Sequence, residues 1–325
     1  MTAILFCVAL LAGLLAFASA LIMIERWGLA LWQDRLGPNR AGPLGLLQLP
    51  ADMIKLFFKE DWLPPFADRP LFVLAPMIPA TAALLSFSVI VWAPPLRTVA
   101  DLNIGVLFVL AMSSLSVYGP ALGGWSSRNK YALLGALRAA AQMLGYEAPL
   151  ALAMLGVVVL AGSFRVADIV EAQRGLWFVV PQLPGFVLFF LAALAETRRL
   201  PFDLPEAENE LVAGFHTEYS SMKFALFFLG EYVGILLMSA LTVTLYFGGY
   251  LGPFIDRWPG LGAAWFVLKM LAFVALFILL RASLPRPRYD QLNTLAWKLL
   301  LPLALANLLA TGAAVLGRQA VGCRL

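Results

Sequence analysis

Six carboxylates crowd the stretch 196-ETRRLPFDLPEAENELVAGFHTE-218: Glu196, Asp203, Glu206, Glu208, Glu210 and Glu218. Only Arg198 and Arg199 oppose them. They are six of the nineteen acidic residues in a chain whose net charge is +4, so the clustering runs against the composition. Carboxylates aligned at a low-dielectric surface repel and raise one another's pKa values. Such a group can hold a reservoir of protons, or respond to a charge arriving nearby. A docking face for a basic partner is the plainer use of the same residues.

Two more carboxylates interrupt long apolar runs, Glu147 in 145-GYEAP-149 and Glu231 in 230-GEY-232. Placing a charge at the centre of a bilayer costs about 3 kcal/mol on the gentlest scale, so an acid kept there is paired or moves protons. Glu147 lies about 20 Å, and Glu231 about 12 Å, from the start of its helix at the helical rise per residue. Both helices enter from the same side, so the two carboxylates can face one another. Pro149 removes a backbone hydrogen bond beside Glu147 and adds to the need for polar partners. The plainer reading is an Arg138–Glu ion pair with one interhelical hydrogen bond.

The redox inventory is nearly empty. Cys7 and Cys323 stand at opposite ends of the chain, and His216 is the only histidine. No spacing here can hold an iron–sulfur cluster, a haem or a zinc ion, and no glycine-rich nucleotide loop is present. Electrons for any redox reaction must come from partners, and the chain alone is expected to bind no cofactor.

The elements that position these residues are apolar helices. The 325 residues are 62% hydrophobic and 13% charged, with mean hydropathy +0.85. Apolar runs near 3–24, 71–92, 102–122, 133–161, 175–195, 223–250, 261–280 and 295–317 predict eight transmembrane helices in a single polytopic, all-α membrane domain spanning 1–325. Ala18-Ser19-Ala20 resembles a signal-peptide cleavage site, but no Lys or Arg precedes it and the run continues to Ile24. It reads as a retained span. Segments 25–70, 123–138, 196–223 and 281–298 hold 16 of the 23 Lys and Arg residues. The positive-inside rule places these four segments in the cytoplasm and both termini outside. No internal repeat is visible, which disfavours an inverted-repeat transporter.

Within the first cytoplasmic connection, 50-PADMIKLFFKEDW-62 predicts a short amphipathic helix. Met53, Ile54, Phe57 and Phe58 fall on one face, and Asp52, Lys55 and Lys59 on the other. Too short to span, it belongs in the interface plane. There it either packs on the bundle or forms a lid under which an apolar ligand slides.

Three of these segments carry a family resemblance: 25-ERWGLALWQDRLGPNRAGPLGLLQLPADMIKLFFKED-61, 196-ETRRLPFDLPEAENELVAGFHTEYSSMKF-224 and 281-RASLPRPRYDQLNTLAWKLLLPL-303. Together with the GYE and GEY sites, they resemble the H-subunit family of bacterial NADH:quinone oxidoreductase, respiratory complex I, whose mitochondrial members are called subunit 1. The resemblance covers nearly the whole chain. It implies a membrane subunit at the joint with the peripheral arm, forming the membrane entrance and part of the chamber for quinone. FMN and iron–sulfur clusters would reside in partner subunits. It assigns proton coupling to Glu147, Glu196, Asp203, Glu206, Glu208, Glu210 and Glu231. It assigns the quinone chamber and its rim to Glu25, Arg26, Arg35, Lys55, Phe58, Arg281 and Arg286, with Arg288 in the same loop. The implied location is the bacterial cytoplasmic membrane with both termini periplasmic. The implied partners are peripheral-arm and membrane-arm subunits, quinone and lipid, with no nucleic acid. Two departures stand out. Many members read Glu-Gly-Glu at Glu206-Ala207-Glu208, and Pro205 precedes this triplet, which stiffens the loop. The membrane anchor of an energy-converting hydrogenase is the alternative, since it is homologous to this family but delivers electrons to protons.

Overall fold

The structure is a computed structural model that describes residues 2–93, 98–206, 208–255, 257–258 and 260–320. The side chains of 2–4, 208, 209, 319 and 320 fall outside that description, as does Cys323. All regular structure among the described residues is helical.

Helix α1 (Thr2–Trp32) carries no charge before Glu25, and α2 (Gln48–Phe58) is the amphipathic helix predicted from the pattern. Helices α3 (Arg69–Leu74) and α4 (Met77–Ser86) form one span interrupted at Ala75–Pro76, and α5 (Gly105–Ser116) with α6 (Tyr118–Ser126) forms the next. Helix α7 (Lys130–Ala161) opens at Asn129, whose side chain accepts the Tyr131 N–H at 2.9 Å. It closes at Gly162, whose left-handed φ of 69° ends the helix without steric cost. Pro149 lies inside α7 and does not end it. Then follow α8 (Val166–Glu171), α9 (Leu183–Glu196), α10 (Glu208–Leu211), α11 (Ser221–Tyr246) and α12 (Leu261–Ser283). The last span joins α13 (Tyr289–Thr294), a π-helical segment Leu295–Leu300 and α14 (Leu301–Ala320).

Seven of these segments are long and apolar enough to cross a bilayer, and α9 is a shorter apolar helix. Of the predicted fifth span over 175–195, residues 183–195 are helical in α9 and 175–182 form turns and bends. The 14 residues of α9 reach about 21 Å at the helical rise. The cause is Gln173, buried beneath the preceding segment. Its side-chain oxygen accepts the N–H groups of Phe178 and Gly248, at 3.2 and 2.9 Å, and its amide donates to Thr244 O at 2.9 Å. One side chain therefore satisfies a turn and the end of α11, and Pro184 starts α9 only after that turn.

Helix α11 is the axis of the bundle. Two-thirds (67%) of its most apolar window is buried, against 17% for α1 and for the last span. Against it pack α4, α12 and α1, while α7 and α9 pack closely on each other and carry buried small side chains, among them Ala139, Ala153, Ala192 and Ala193.

At one end of the bundle the four basic segments are tied to each other. Arg26 pairs with Asp52 at 2.6 Å, Lys223 with Asp61 at 2.8 Å and Arg286 with Asp203 at 3.0 Å. Arg138 pairs with Glu210 at 2.5 Å, and Asn129 donates to Glu218 at 2.7 Å. The four segments thus lie at one end of the bundle.

Candidate functional site

The chemistry gathers where α9 runs out. Helix α9 ends on Glu196, and Arg198 adopts a left-handed φ of 53° two residues later. This turn, a common way to end a helix, aims Arg198 and Arg199 back into the bundle, where both are buried.

Arg199 is the hub. Its guanidinium pairs with Glu231 of α11, lies 3.5 Å from Glu25 of α1 and sits 4.3 Å above the Tyr232 ring. Glu25 completes the cluster: one carboxylate oxygen pairs with Arg281 of α12, and the other accepts the Tyr232 hydroxyl at 2.8 Å. Two carboxylates and two guanidiniums thus balance in a site where Glu25 and Glu231 are 4% and 7% exposed. Mutual pairing is what makes such burial tolerable, and a charge left alone there costs about 3–5 kcal/mol. Beside the cluster, a cavity of about 10 Å³ lies between Arg199, Arg281 and Glu25 on one side and Leu21, Ile235, Phe277 and Ile278 on the other.

A second set of carboxylates lies deeper. Glu147 accepts the Ser114 hydroxyl and stands within electrostatic reach of Glu196. A cavity of about 50 Å³ runs from Glu196, Thr197 and Arg198 past Ser86, Ser113 and Ser116 to Glu231. At roughly 10–15 Å³ per water, that space suits about four waters, whose partners are the serines and charged groups in an otherwise largely apolar lining. Glu196 Oε2 and two guanidinium nitrogens of Arg198 make no protein hydrogen bond there. Glu147 is coupled to Glu196, and Glu196 shares the cavity with Glu231.

The acidic loop itself is not uniform. Asp203 is pushed up to about 7 by burial and by the charge of Glu206, against the opposing pull of Arg286 and Arg199. Burial also works to raise Glu206, yet the His216 hydrogen bond and charge, with Arg199 and Arg198, hold its carboxyl below the usual range. Glu210 is half exposed and satisfied by Arg138, which thus pairs with the loop and not with a carboxylate inside the spans as the plainer reading had it. The side chain of Glu208 lies outside the described residues. The expectation that all six carboxylates raise one another's proton affinity is thus met at Asp203, where burial and the charge of Glu206 outweigh Arg286 and Arg199, and reversed at Glu206, where His216 and the two arginines outweigh burial.

The residues assigned to quinone divide in two. Glu25 and Arg281 form the hub with Arg199; Arg26 anchors α2 through Asp52, and Arg286 reaches Asp203. Arg35, Lys55, Phe58 and Arg288 lie on the exposed surface, and Phe58 is 87% exposed. The apolar face of α2 is turned outward along its length: Met53, Ile54 and Phe57 are exposed as well. The opposite face is held by Arg26 and by Ser221, whose hydroxyl donates to Leu56 O at 2.9 Å. An outward apolar face on a helix tied by polar contacts is what an interfacial position requires.

Sequence reasoning had not singled out Arg199, Tyr232 or Ser114. The first two were visible as members of patterns, Arg199 as one of only two cations in the acidic segment and Tyr232 inside GEY. Ser114 had no signal of its own.

Among known proteins, the sequence profile described as NADH dehydrogenase matches residues 4–312. The chain is 58% identical, over 296 residues, to the H subunit of the NADH-quinone oxidoreductase of Methylococcus capsulatus (strain Bath), covering 91% of this chain and 92% of that one.

Proposed function

From a chain that belongs to the NADH dehydrogenase family and is a membrane subunit of an NADH-quinone oxidoreductase, we propose two tasks: it forms the membrane entrance and part of the chamber for quinone, and it couples quinone reduction to proton pumping. FMN and iron–sulfur clusters belong to partner subunits of the complex, which bring the electrons. Quinone is the substrate, and its reduction to quinol consumes two electrons and two protons.

The observation that carries this reading is the bridge made by Arg199, which contacts Glu25 on the α1 side and Glu231 on the cavity side. A cation shared by two buried carboxylates responds to any new charge near either of them. Negative charge developing on a quinone close to Arg281 and Glu25 draws Arg199 and Arg281 toward it. Glu231 then loses its partner and takes a proton from the cavity that leads to Glu196, with Glu147 beside Glu196. Reoccupation of Glu231 by Arg199 expels that proton onward. Asp203 and Glu206 supply the loop side of the path, and Glu210 extends it toward the aqueous face; Glu208, assigned to the same path, lies outside the described side chains. Helix α2, with Phe58 and Lys55 on its outer surface and Arg26 at its base, forms the rim of the entrance, and Arg35 and Arg286 flank the chamber. The bilayer is the bacterial cytoplasmic membrane, with the four tied basic segments cytoplasmic and both termini periplasmic.

Gentle purification of the chain should bring flavin and iron–sulfur partners that reduce quinone with NADH. In that complex, Glu147→Gln or Glu231→Gln should weaken quinone-coupled proton pumping in vesicles while leaving NADH oxidation by an artificial acceptor intact. Normal pumping by both variants would remove the carboxylates from the path.

A further inference from the structure

Helix α2 is held to the bundle chiefly by polar ties at its ends. None of its side chains is buried, and Phe57 and Phe58 point away from the bundle. At the N-terminal end, Asp52 takes Arg26 of α1 at 2.6 Å and the Gln48 amide at 2.9 Å. At the C-terminal end the partners come from the start of α11. Ser221 Oγ donates to Leu56 O at 2.9 Å, and Ser220 Oγ donates to Glu60 O at 3.1 Å. Lys223 Nζ pairs with Asp61 at 2.8 Å and reaches Trp62 O at 3.4 Å. A helix leaves its last four carbonyls without intrahelical donors. Leu56 O is one of these in α2, and Ser221 supplies the donor.

The anchor is itself firm. Tyr219 stacks on Phe72 of α3 with centroids 4.1 Å apart and planes 2° from parallel, and its hydroxyl donates to Phe72 O at 3.1 Å. Phe72 is fully buried, and the Lys223 ammonium lies 5.3 Å from its ring centroid. The stretch 219–223 is therefore fixed to the second span as well as to α2.

Ser221 carries a backbone cost at this place. It is the first residue of α11, is 3% exposed and has φ +54°, in the left-handed region. A residue with a Cβ is disfavoured there, and the conformation persists only where its surroundings determine it. Glycine adopts it freely. What serine adds over glycine is the hydroxyl, and that hydroxyl is the group spent on α2. Because α2 buries no side chain, packing does not make up for a lost tie.

We propose that Ser221 is a positioning residue for quinone entry: its hydroxyl holds the C-terminal end of α2 on the start of α11, as Arg26 holds the other end on α1, and the two ties together set where the rim lies. This rests on the reading of α2 as the rim of the entrance.

The test is Ser221→Gly in the assembled oxidoreductase. Glycine removes the hydroxyl and relieves the left-handed backbone, so the midpoint of thermal inactivation should stay within about 2 °C of the unaltered complex. The Michaelis constant for a quinone with an isoprenoid tail should nevertheless rise roughly fivefold, the equivalent of one neutral hydrogen bond. The kcat, and NADH oxidation by an artificial acceptor, should be kept. Amide hydrogen exchange over 54–62 should quicken while exchange in α1 is unchanged. Ser221→Ala, which lacks the hydroxyl but keeps the backbone cost, should raise the constant equally and lower the midpoint.

An unchanged constant or unchanged exchange over 54–62 in Ser221→Gly overturns the proposal. So does a raised constant that comes with a lowered midpoint in that variant, since structure and not position would then be lost. Unequal constants for the Gly and Ala variants overturn it too, because backbone conformation and not the hydroxyl would set the effect. Arg26→Ala separates this idea from the reading beneath it. A raised constant there with Ser221→Gly unaltered sinks the role of Ser221 alone, whereas no change in either variant removes α2 from the entrance.

Discussion

Replacing Arg199 by Met removes the one guanidinium that serves both Glu25 and Glu231 while keeping an unbranched apolar stem of similar length. Glu25 retains Arg281 and the Tyr232 hydroxyl, but Glu231 loses its ion-pair partner. Stranding a buried carboxylate costs about 3–5 kcal/mol. On a chain of this length, 3 kcal/mol corresponds to a fall of roughly 5 °C in the unfolding midpoint, from the usual entropy per residue. Glu231→Gln removes the same charge from the other side. The double variant then strands nothing at Glu231, so the effects should fall short of additive by about 1–3 kcal/mol, as for residues in contact. The assay is thermal inactivation of the purified complex, with release of this chain followed in parallel. Arg199→Met should inactivate early, and adding Glu231→Gln should recover much of the midpoint without recovering proton pumping. Effects that add to within about 0.5 kcal/mol would show that the Arg199–Glu231 contact carries no weight, and the bridge argument would fall.

Two other outcomes follow from the same geometry. Arg26→Ala releases α2 from the end of α1 by removing the 2.6 Å pair with Asp52, so the Michaelis constant for quinone should rise severalfold with kcat largely kept, and an unchanged constant would move the rim elsewhere. Asp203 has its folded pKa raised from 3.8 to about 7, so the folded chain binds more protons than the unfolded one within that window. Its contribution to stability is then fully present below about 4, declines as pH rises and is gone above about 7. Asp203→Asn should flatten that part of the pH profile of thermal inactivation, and an unaltered slope would mean Asp203 is not the buried acid.

The fold was largely legible because a bilayer leaves a simple record. Seven apolar runs became spanning helices, and the amphipathic pattern over 50–62 became α2 with its apolar face outward. The fifth run misled because hydropathy cannot see that a single buried Gln173 satisfies a turn in place of helical hydrogen bonds. At the site, residue types and depth were legible but partners were not. Glu25 and Arg281 are 256 positions apart, and no spacing rule predicts that they pair. The acidic stretch was read as one object because its charges are adjacent in sequence. In space its members meet different cations: Glu206 faces His216 and the two arginines, Asp203 faces Arg286, and Glu210 goes to Arg138 at the surface.

Glu196 joins the two halves of the arrangement, with Glu147 on one side and the cavity leading to Glu231 on the other. The most direct test of the central claim is the number of protons pumped per NADH oxidised by the complex in proteoliposomes, with Glu196→Gln beside Glu196→Asp. The account predicts that Glu196→Gln lowers this ratio while NADH oxidation by an artificial acceptor is unchanged, and that Glu196→Asp retains part of it. An unaltered ratio in Glu196→Gln would contradict the account, because no proton would then need to cross this carboxyl.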